Sequence, residues 1–264
     1  MSRIVLESTD KSEVVKVFNP FMCIPVGASN EITMMDSFGI TLKRCKSWIP
    51  AFGTALRELQ VIASTLDLDV ARNGHFVPDK NDLFRAFELT PLDRVRVVIV
   101  GQDPYHQILA NGRPRAKGLS FSVDPTDTIP SSLQNIFKEI KTEYPEWDKP
   151  LHGDLTAWAR QGVLLLNSCL TCLPGQAGSH SGYGLWMPFV IKMLRAIDAI
   201  RPNCIYIMWG AQAQKLGVHL GDKSHKLVAA HPSGLSASRG FFGCGHFARV
   251  NTILSTDGSD TISW

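Results

Sequence analysis

No apolar run in this 264-residue sequence approaches the roughly 20 residues needed to span a bilayer, so no transmembrane helix is expected. The first residues do not read as a signal peptide. Glu7, Asp10, Lys11 and Glu13 interrupt any apolar stretch there, and the acids argue against a transit peptide. An intracellular protein of cytoplasm or nucleus, not a secreted one, is expected. Cysteine is sparse: Cys23, Cys45, Cys169, Cys172, Cys204 and Cys244. Cys169 and Cys172 form one C-x-x-C, but no second C-x-x-C and no H-x-x-x-H completes a tetrahedral metal site. The pair follows the apolar run 163–166, where small buried thiols are common, so a structural role and no bound metal are expected. Neither a G-x-G-x-x-G nor a P-loop signature is present, which disfavours an ordinary nucleotide-binding domain. Charge of one sign is also scarce. Lys and Arg number 27 against 24 Asp and Glu, for a net +3. That balance permits a polyanionic partner without requiring one. A nucleic-acid site would have to be local, built from amides, hydroxyls and a few cations.

Against these absences one stretch stands out, VVIVGQDPYH at 97–106. Four apolar β-formers, Val97, Val98, Ile99 and Val100, stop at Gly101, as in a strand buried on both faces. Gln102, Asp103, Tyr105 and His106 then surround Pro104. An amide, a carboxylate, a phenol and an imidazole thus follow the carboxyl end of a buried strand, the edge where open α/β sheets bind ligands. Taken singly, each residue is as easily a turn former or cap.

The rest of the chain supplies the sheet. Residues 1–44 show no clear periodicity and are expected to form an N-terminal extension, with apolar clusters at Phe18, Pro20, Phe21, Cys23, Ile24 and Pro25 and at Met34, Met35, Phe38 and Ile40. From Trp48 a helical stripe carries Phe52, Leu56, Leu59 and Ile62. Asn81 is expected to cap a short helix with Leu83, Phe84, Ala86 and Phe87. Residues 118–123 read as a short extended segment holding Phe121. Helices are expected at 131–144, 154–161, 186–200 and from 246, and further buried strands at 163–166, 204–209 and 227–230. Strands alternating with helical patterns predict a single α/β domain over 45–264, with a central four-stranded parallel sheet and helices on both faces. In that arrangement Asp103, Asn167, Gly210 and His231 meet at one edge.

A second stretch, HPSGLSASRGFFGCGH at 231–246, sets His231, three serines and Arg239 around Leu235. A leucine amid Gly and Ser is poorly placed for a core. It reads either as folded under its loop or as an apolar wedge flanked by phosphate ligands. With GQDPYH at 101–106, GLSFSV at 118–123, LLLNS at 164–168 and HPSGLSASRGFFG at 231–243, the chain resembles the family 1 uracil-DNA glycosylases, with their motifs in order over about 45–264.

The resemblance implies a monofunctional enzyme that flips uracil out of single- or double-stranded DNA and hydrolyses its N-glycosidic bond. It implies that Asp103 stabilises the cationic sugar and orients water, helped by His106 and the Pro104 carbonyl, while His231 stabilises the departing base. Tyr105 excludes a C5 methyl, Phe121 stacks on the base, Asn167 reads its edge and Gln102 adds a backbone contact. Leu235 fills the vacated position, and Ser132, Ser233, Ser236 and Arg239 grip the backbone. No cofactor is implied, and without H-x-E and P-C-x-x-C a zinc nucleobase deaminase is disfavoured. A monomer with no membrane partner is expected, with a proteinaceous inhibitor or replication factor as a further partner. The alternative is a DNA-binding replication accessory subunit on the same fold with secondary catalysis. The chain departs from the family pattern at Lys117, Gly178, Ala211 and Gly234 and in a longer 107–117 loop. Arg113, Arg115 and Lys117 add charge to that loop; uracil specificity is expected to be intact and the grip on DNA altered, more salt-sensitive if those cations contact phosphates.

Overall fold

A computed structural model describes residues 33–264. In chain order its helices are α1 (Met34–Leu42), α2 (Ile49–Gly53), α3 (Leu56–Asn73), α4 (Arg85–Leu89), α5 (Ser131–Glu143), α6 (Thr156–Arg160), α7 (Met187–Ile200), α8 (Ala211–Gln214) and α9 (His246–Thr256). The strands are β1 (Val97–Gly101), β2 (Val163–Asn167), β3 (Ile205–Trp209) and β4 (His225–Ala229), all parallel in the order β2-β1-β3-β4. Chain reversal between strands is accomplished by helical crossovers, so all four carboxyl ends share one edge.

β1 and β3 lie in the middle of the sheet and are buried along their whole length, as uninterrupted apolar runs should be. β4 differs from its predicted span of 227–230. It is an edge strand whose Lys226 and Val228 face outward, with Val228 55% exposed. Two aromatic clusters pack the flanking helices. One joins Trp48, Phe52, Phe84, Phe87, Trp186 and Phe189, mostly edge-to-face. The other joins Phe137, Trp158, Phe247 and Trp264.

The last part of the 1–44 extension packs onto the body as an arm. Within 34–42 the spacing Met34, Phe38, Leu42 places three apolar side chains on one helical face, and all three are buried. Phe38, 1% exposed, meets Phe84 edge-on at 5.2 Å. Thr33 and Asp36 form a capping box at the start of α1, and the Met34 amide donates to Asp67 at 3.0 Å. The apolar cluster at 18–25 lies outside the described residues. Asn81 is not the expected cap: its own amide donates to Asp79, and α4 begins only at Arg85. No helix among the described residues is long and apolar enough to cross a membrane.

Phe84 is fully buried at the centre of the first cluster, against Phe38, Phe52, Trp186 and Phe189. Phe84→Ala is expected to destabilise the protein by about 3–5 kcal/mol. The change should appear in urea unfolding as a lower midpoint at unchanged slope. An unchanged midpoint would show that this cluster does not hold the helices.

Candidate active site

β1 and β2 pair in register, which sets Gly101 beside Asn167 at the sheet edge. A Cβ on Gly101 would lie 2.2 Å from Asn167 Oδ1, so only glycine allows the Asn167 amide to lie over the strand end. Beyond this pair the two connecting segments are joined along their length. The Ser168 amide donates to Gly101 O at 2.9 Å and the Cys169 amide to Gln102 O at 3.0 Å. The Ser168 hydroxyl donates to the same Gln102 carbonyl at 2.8 Å. The Cys172 thiol makes a weak contact to Pro104 O at 3.6 Å, and the Gly175 amide donates to His106 O at 2.8 Å. Finally the Gly178 amide donates to Asp103 Oδ2 at 2.6 Å, a short, charge-assisted bond. Cys169 and Cys172 are both buried, and burial pushes each thiol up to about 12. They stay protonated at neutral pH and serve packing, in keeping with the structural reading of the C-x-x-C.

Residues 118–123 are not extended as expected but turn under the site. Phe121 has φ +63°, and it alone of the non-glycine residues described has positive φ. The Ser120 amide donates to Leu165 O and its hydroxyl to Ile99 O, pinning the turn to β2 and β1. The Tyr105 hydroxyl donates to Phe121 O at 3.3 Å. Backbone held in a sparsely populated conformation is a feature of sites that must present a side chain in one orientation. Here it presents the Phe121 ring to His231 at 5.8 Å and to Trp209 at 5.7 Å between centroids.

After β4 comes His231. Its Nδ1 accepts the Ser233 amide at 3.1 Å, so the ring proton of the neutral imidazole sits on Nε2. Burial lowers its pKa, opposed by the charge of Asp103, so the ring is neutral near pH 7. The Ser236 hydroxyl donates to His231 O at 2.8 Å, which leaves Ser233 as the donor in the 2.8 Å contact between the two serine oxygens. Both hydroxyl protons are therefore committed inside the loop. The Asn135 amide of α5 holds the same loop through Pro232 O at 2.8 Å. At its tip Leu235 is 87% exposed, which removes the reading in which it folds under the loop.

Gln102, Asp103, Pro104, Tyr105, His106, Phe121, Ser132, Asn167 and His231 all line one cleft of about 930 Å³, counting its open mouth. Ser233, Leu235, Ser236 and Arg239 do not line it; they follow His231 in the adjoining loop, with Leu235 and Arg239 exposed. Gly210 meets His231 from β3, where a Cβ would approach the His231 Cβ to 3.0 Å. His106 Nδ1 is buried without a partner. Two features escaped the sequence reading. The Gly178 contact to Asp103 is made by a backbone N–H, which no residue type announces. The cations of the 107–117 loop are mostly paired: Arg115 bonds Asp127 at 2.8 and 3.1 Å, and Lys117 lies 3.9 Å from both Asp82 and Asp124. Of the three, Arg113 is the exposed one.

Residues 87–255 match the Uracil DNA glycosylase superfamily. Relatives named uracil-DNA glycosylase include that of Proteus mirabilis, 48% identical over 188 residues, which are 71% of this chain and 80% of the relative. That of Actinobacillus succinogenes is 46% identical over 188 residues, 71% of this chain and 82% of the relative. Among solved structures, mimivirus uracil-DNA glycosylase aligns at TM-score 0.78 and 25% identity, covering 94% of this chain and 99% of that one. A variant of the mimivirus protein in complex with UGI aligns at TM-score 0.80 and 25% identity, covering 92% of this chain and 99% of that chain.

The His231 assignment is checked by nitrogen-15 NMR. The ring is expected to stay in the Nε2–H form and to titrate below the ordinary histidine value of 6.5. An imidazolium signal persisting above that pH would contradict it.

Proposed function

The chain belongs to the uracil DNA glycosylase superfamily, and on that premise we propose how its cleft works. The protein is a DNA repair glycosylase: it removes uracil from DNA by hydrolysing the N-glycosidic bond and leaves an abasic site. Breaking that bond passes through an oxocarbenium-like sugar and a departing uracil anion. Asp103 lies beneath the sugar, lowers the energy of the cation and orients the attacking water, with His106 and the Pro104 carbonyl as further water contacts. His231 donates its Nε2–H toward the uracil oxygen on which charge builds. A preorganised donor of this kind contributes typically about 2.7–4 kcal/mol.

The observation that carries this reading is that Asp103, Asn167 and His231, far apart in sequence, line the same cleft. An accessory subunit that only binds DNA has no need of that convergence. The base stacks on Phe121, its edge pairs with the Asn167 amide and the Gln102 backbone N–H, and Tyr105 occupies the place of a C5 methyl. Cytosine is rejected because it leaves buried groups unpaired. Extruding the base costs a few kcal/mol, offset in part by stacking and by Leu235 entering the vacated position. Ser132, Ser233, Ser236 and Arg239 hold the backbone; Ser233 and Ser236 must first release their mutual hydrogen bond to do so. The enzyme acts as a monomer inside the cell, with a proteinaceous inhibitor or replication factor as a further partner.

Uracil release from a labelled oligonucleotide, with a cytosine control, tests the activity. Asp103→Asn is expected to slow single-turnover release by about 10²–10³-fold while DNA binding is retained. Native turnover in that variant would refute the role given to Asp103. Tyr105→Ala is expected to release thymine as well as uracil. A variant that still spares thymine would place the methyl barrier elsewhere.

A further inference from the structure

Behind the cleft, three buried side chains and the partly exposed Asp69 form a directional chain that the excision chemistry does not touch. The Trp186 indole N–H, which can only donate, donates to Thr171 Oγ1 at 2.7 Å. Thr171 Oγ1 lies 2.8 Å from His180 Nδ1. His180 Nε2 in turn lies 3.2 Å from Asp69 Oδ2 on α3, a close approach outside hydrogen-bond geometry, and neither of these two buried atoms has a hydrogen-bond partner. One arrangement of protons satisfies the two hydrogen bonds and sets the ring N–H beside the carboxylate. Thr171 donates its hydroxyl proton to Nδ1, and the ring proton sits on Nε2 toward the carboxylate. The opposite tautomer would set a bare nitrogen lone pair against the Asp69 oxygen and leave the Thr171 proton without an acceptor. Trp186, Thr171 and His180 are each at most 1% exposed, so water does not compete for the two bonds among them.

The segment fixed in this way is the one that reaches Asp103. His180 is two residues from Gly178, whose amide donates to Asp103 Oδ2 at 2.6 Å. Gly178 has φ +71°, a conformation that other residues adopt at a cost, so its N–H direction depends on how its neighbours are held. Those neighbours are held closely. Ser179 Oγ accepts the Leu173 amide at 2.7 Å, and the Ser181 hydroxyl donates to Gly178 O at 3.1 Å. Of the contacts made by this turn, His180 supplies the one that reaches α3.

We infer that His180 is a positioning residue for Asp103: with Thr171 and Asp69 it fixes the turn that aims the Gly178 N–H at the Asp103 carboxylate. The inference rests on the role proposed for Asp103. Loosening the array lets the carboxylate rotate away from the sugar without altering any group that touches DNA.

The test is a double-mutant cycle on single-turnover uracil release. His180→Leu is the direct variant. Thr171→Val removes the hydroxyl at constant shape and serves where the leucine variant does not fold. Thr171→Val is expected to slow bond cleavage about 10- to 100-fold, with DNA affinity unchanged, and Thr171→Ser to restore the native rate. In an Asp103→Asn background Thr171→Val should cause no further loss, because both changes remove the same interaction. Losses that multiply in the double variant, or a native rate for Thr171→Val beside a slow Asp103→Asn, overturn the inference alone. A native rate for Asp103→Asn overturns the role of Asp103 and this inference with it.

Discussion

Six contacts between the segment after β1 and the segment after β2 run from the Gly101 carbonyl to the Asp103 carboxylate. Individually such bonds contribute modestly to stability, about 0.5–1.5 kcal/mol each, and somewhat more where a carboxylate accepts. Their larger effect is geometric. They turn two loops that hang from adjacent strands into one rigid rim, so Asp103, Asn167 and the turn carrying Gly178 move together. Parallel pairing of β1 with β2 in register is the condition for this, and Gly101 is the residue that lets the strand ends approach closely enough. A site whose groups are fixed before substrate arrives has little reorganisation left to pay for when charge develops.

Charge in the cleft follows from burial and hydrogen bonding. Asp103 carries a donor on one oxygen, whereas His231 is kept neutral by burial and by the Ser233 amide on Nδ1. The cleft therefore presents a carboxylate held by a backbone N–H together with a neutral imidazole. In the proposed reaction this pair suits a developing sugar cation and a departing base. The loop after His231, proposed to face DNA, is less prepared. Its two serine hydroxyls satisfy each other and the His231 carbonyl, while Leu235 stands in solvent. Gripping a phosphate there means exchanging one set of hydrogen bonds for another.

Much of this was legible in the sequence, and the parts that were not share a cause. β1, β2 and β3 are uninterrupted apolar runs, so their burial and parallel pairing could be read directly. β4 is an edge strand, and its outward Lys226 and Val228 blur the pattern and shift its apparent span. α1 was missed because its apolar face, Met34, Phe38 and Leu42, sits in a short segment crowded with other apolar residues. The left-handed backbone at Phe121 has no residue-type signature, since glycine is the usual marker and here there is none. The Gly178 amide is equally silent, because every residue but proline carries one. The pairing of Arg115 with Asp127 and of Lys117 with Asp82 and Asp124 depends on tertiary neighbours that a local charge count does not see. Residue types and long apolar runs were thus visible in advance, while local backbone conformation and tertiary pairing were not.

The account stands on one extruded base entering the cleft below Leu235. A crystal structure with duplex DNA carrying a non-hydrolysable uracil nucleotide tests this directly. The expected result is the uracil ring against Phe121 with its edge on the Asn167 amide, Asp103 beneath the sugar, and Leu235 inside the duplex at the vacated position. A base still stacked in the duplex over an empty cleft, or DNA bound on another face, would contradict it.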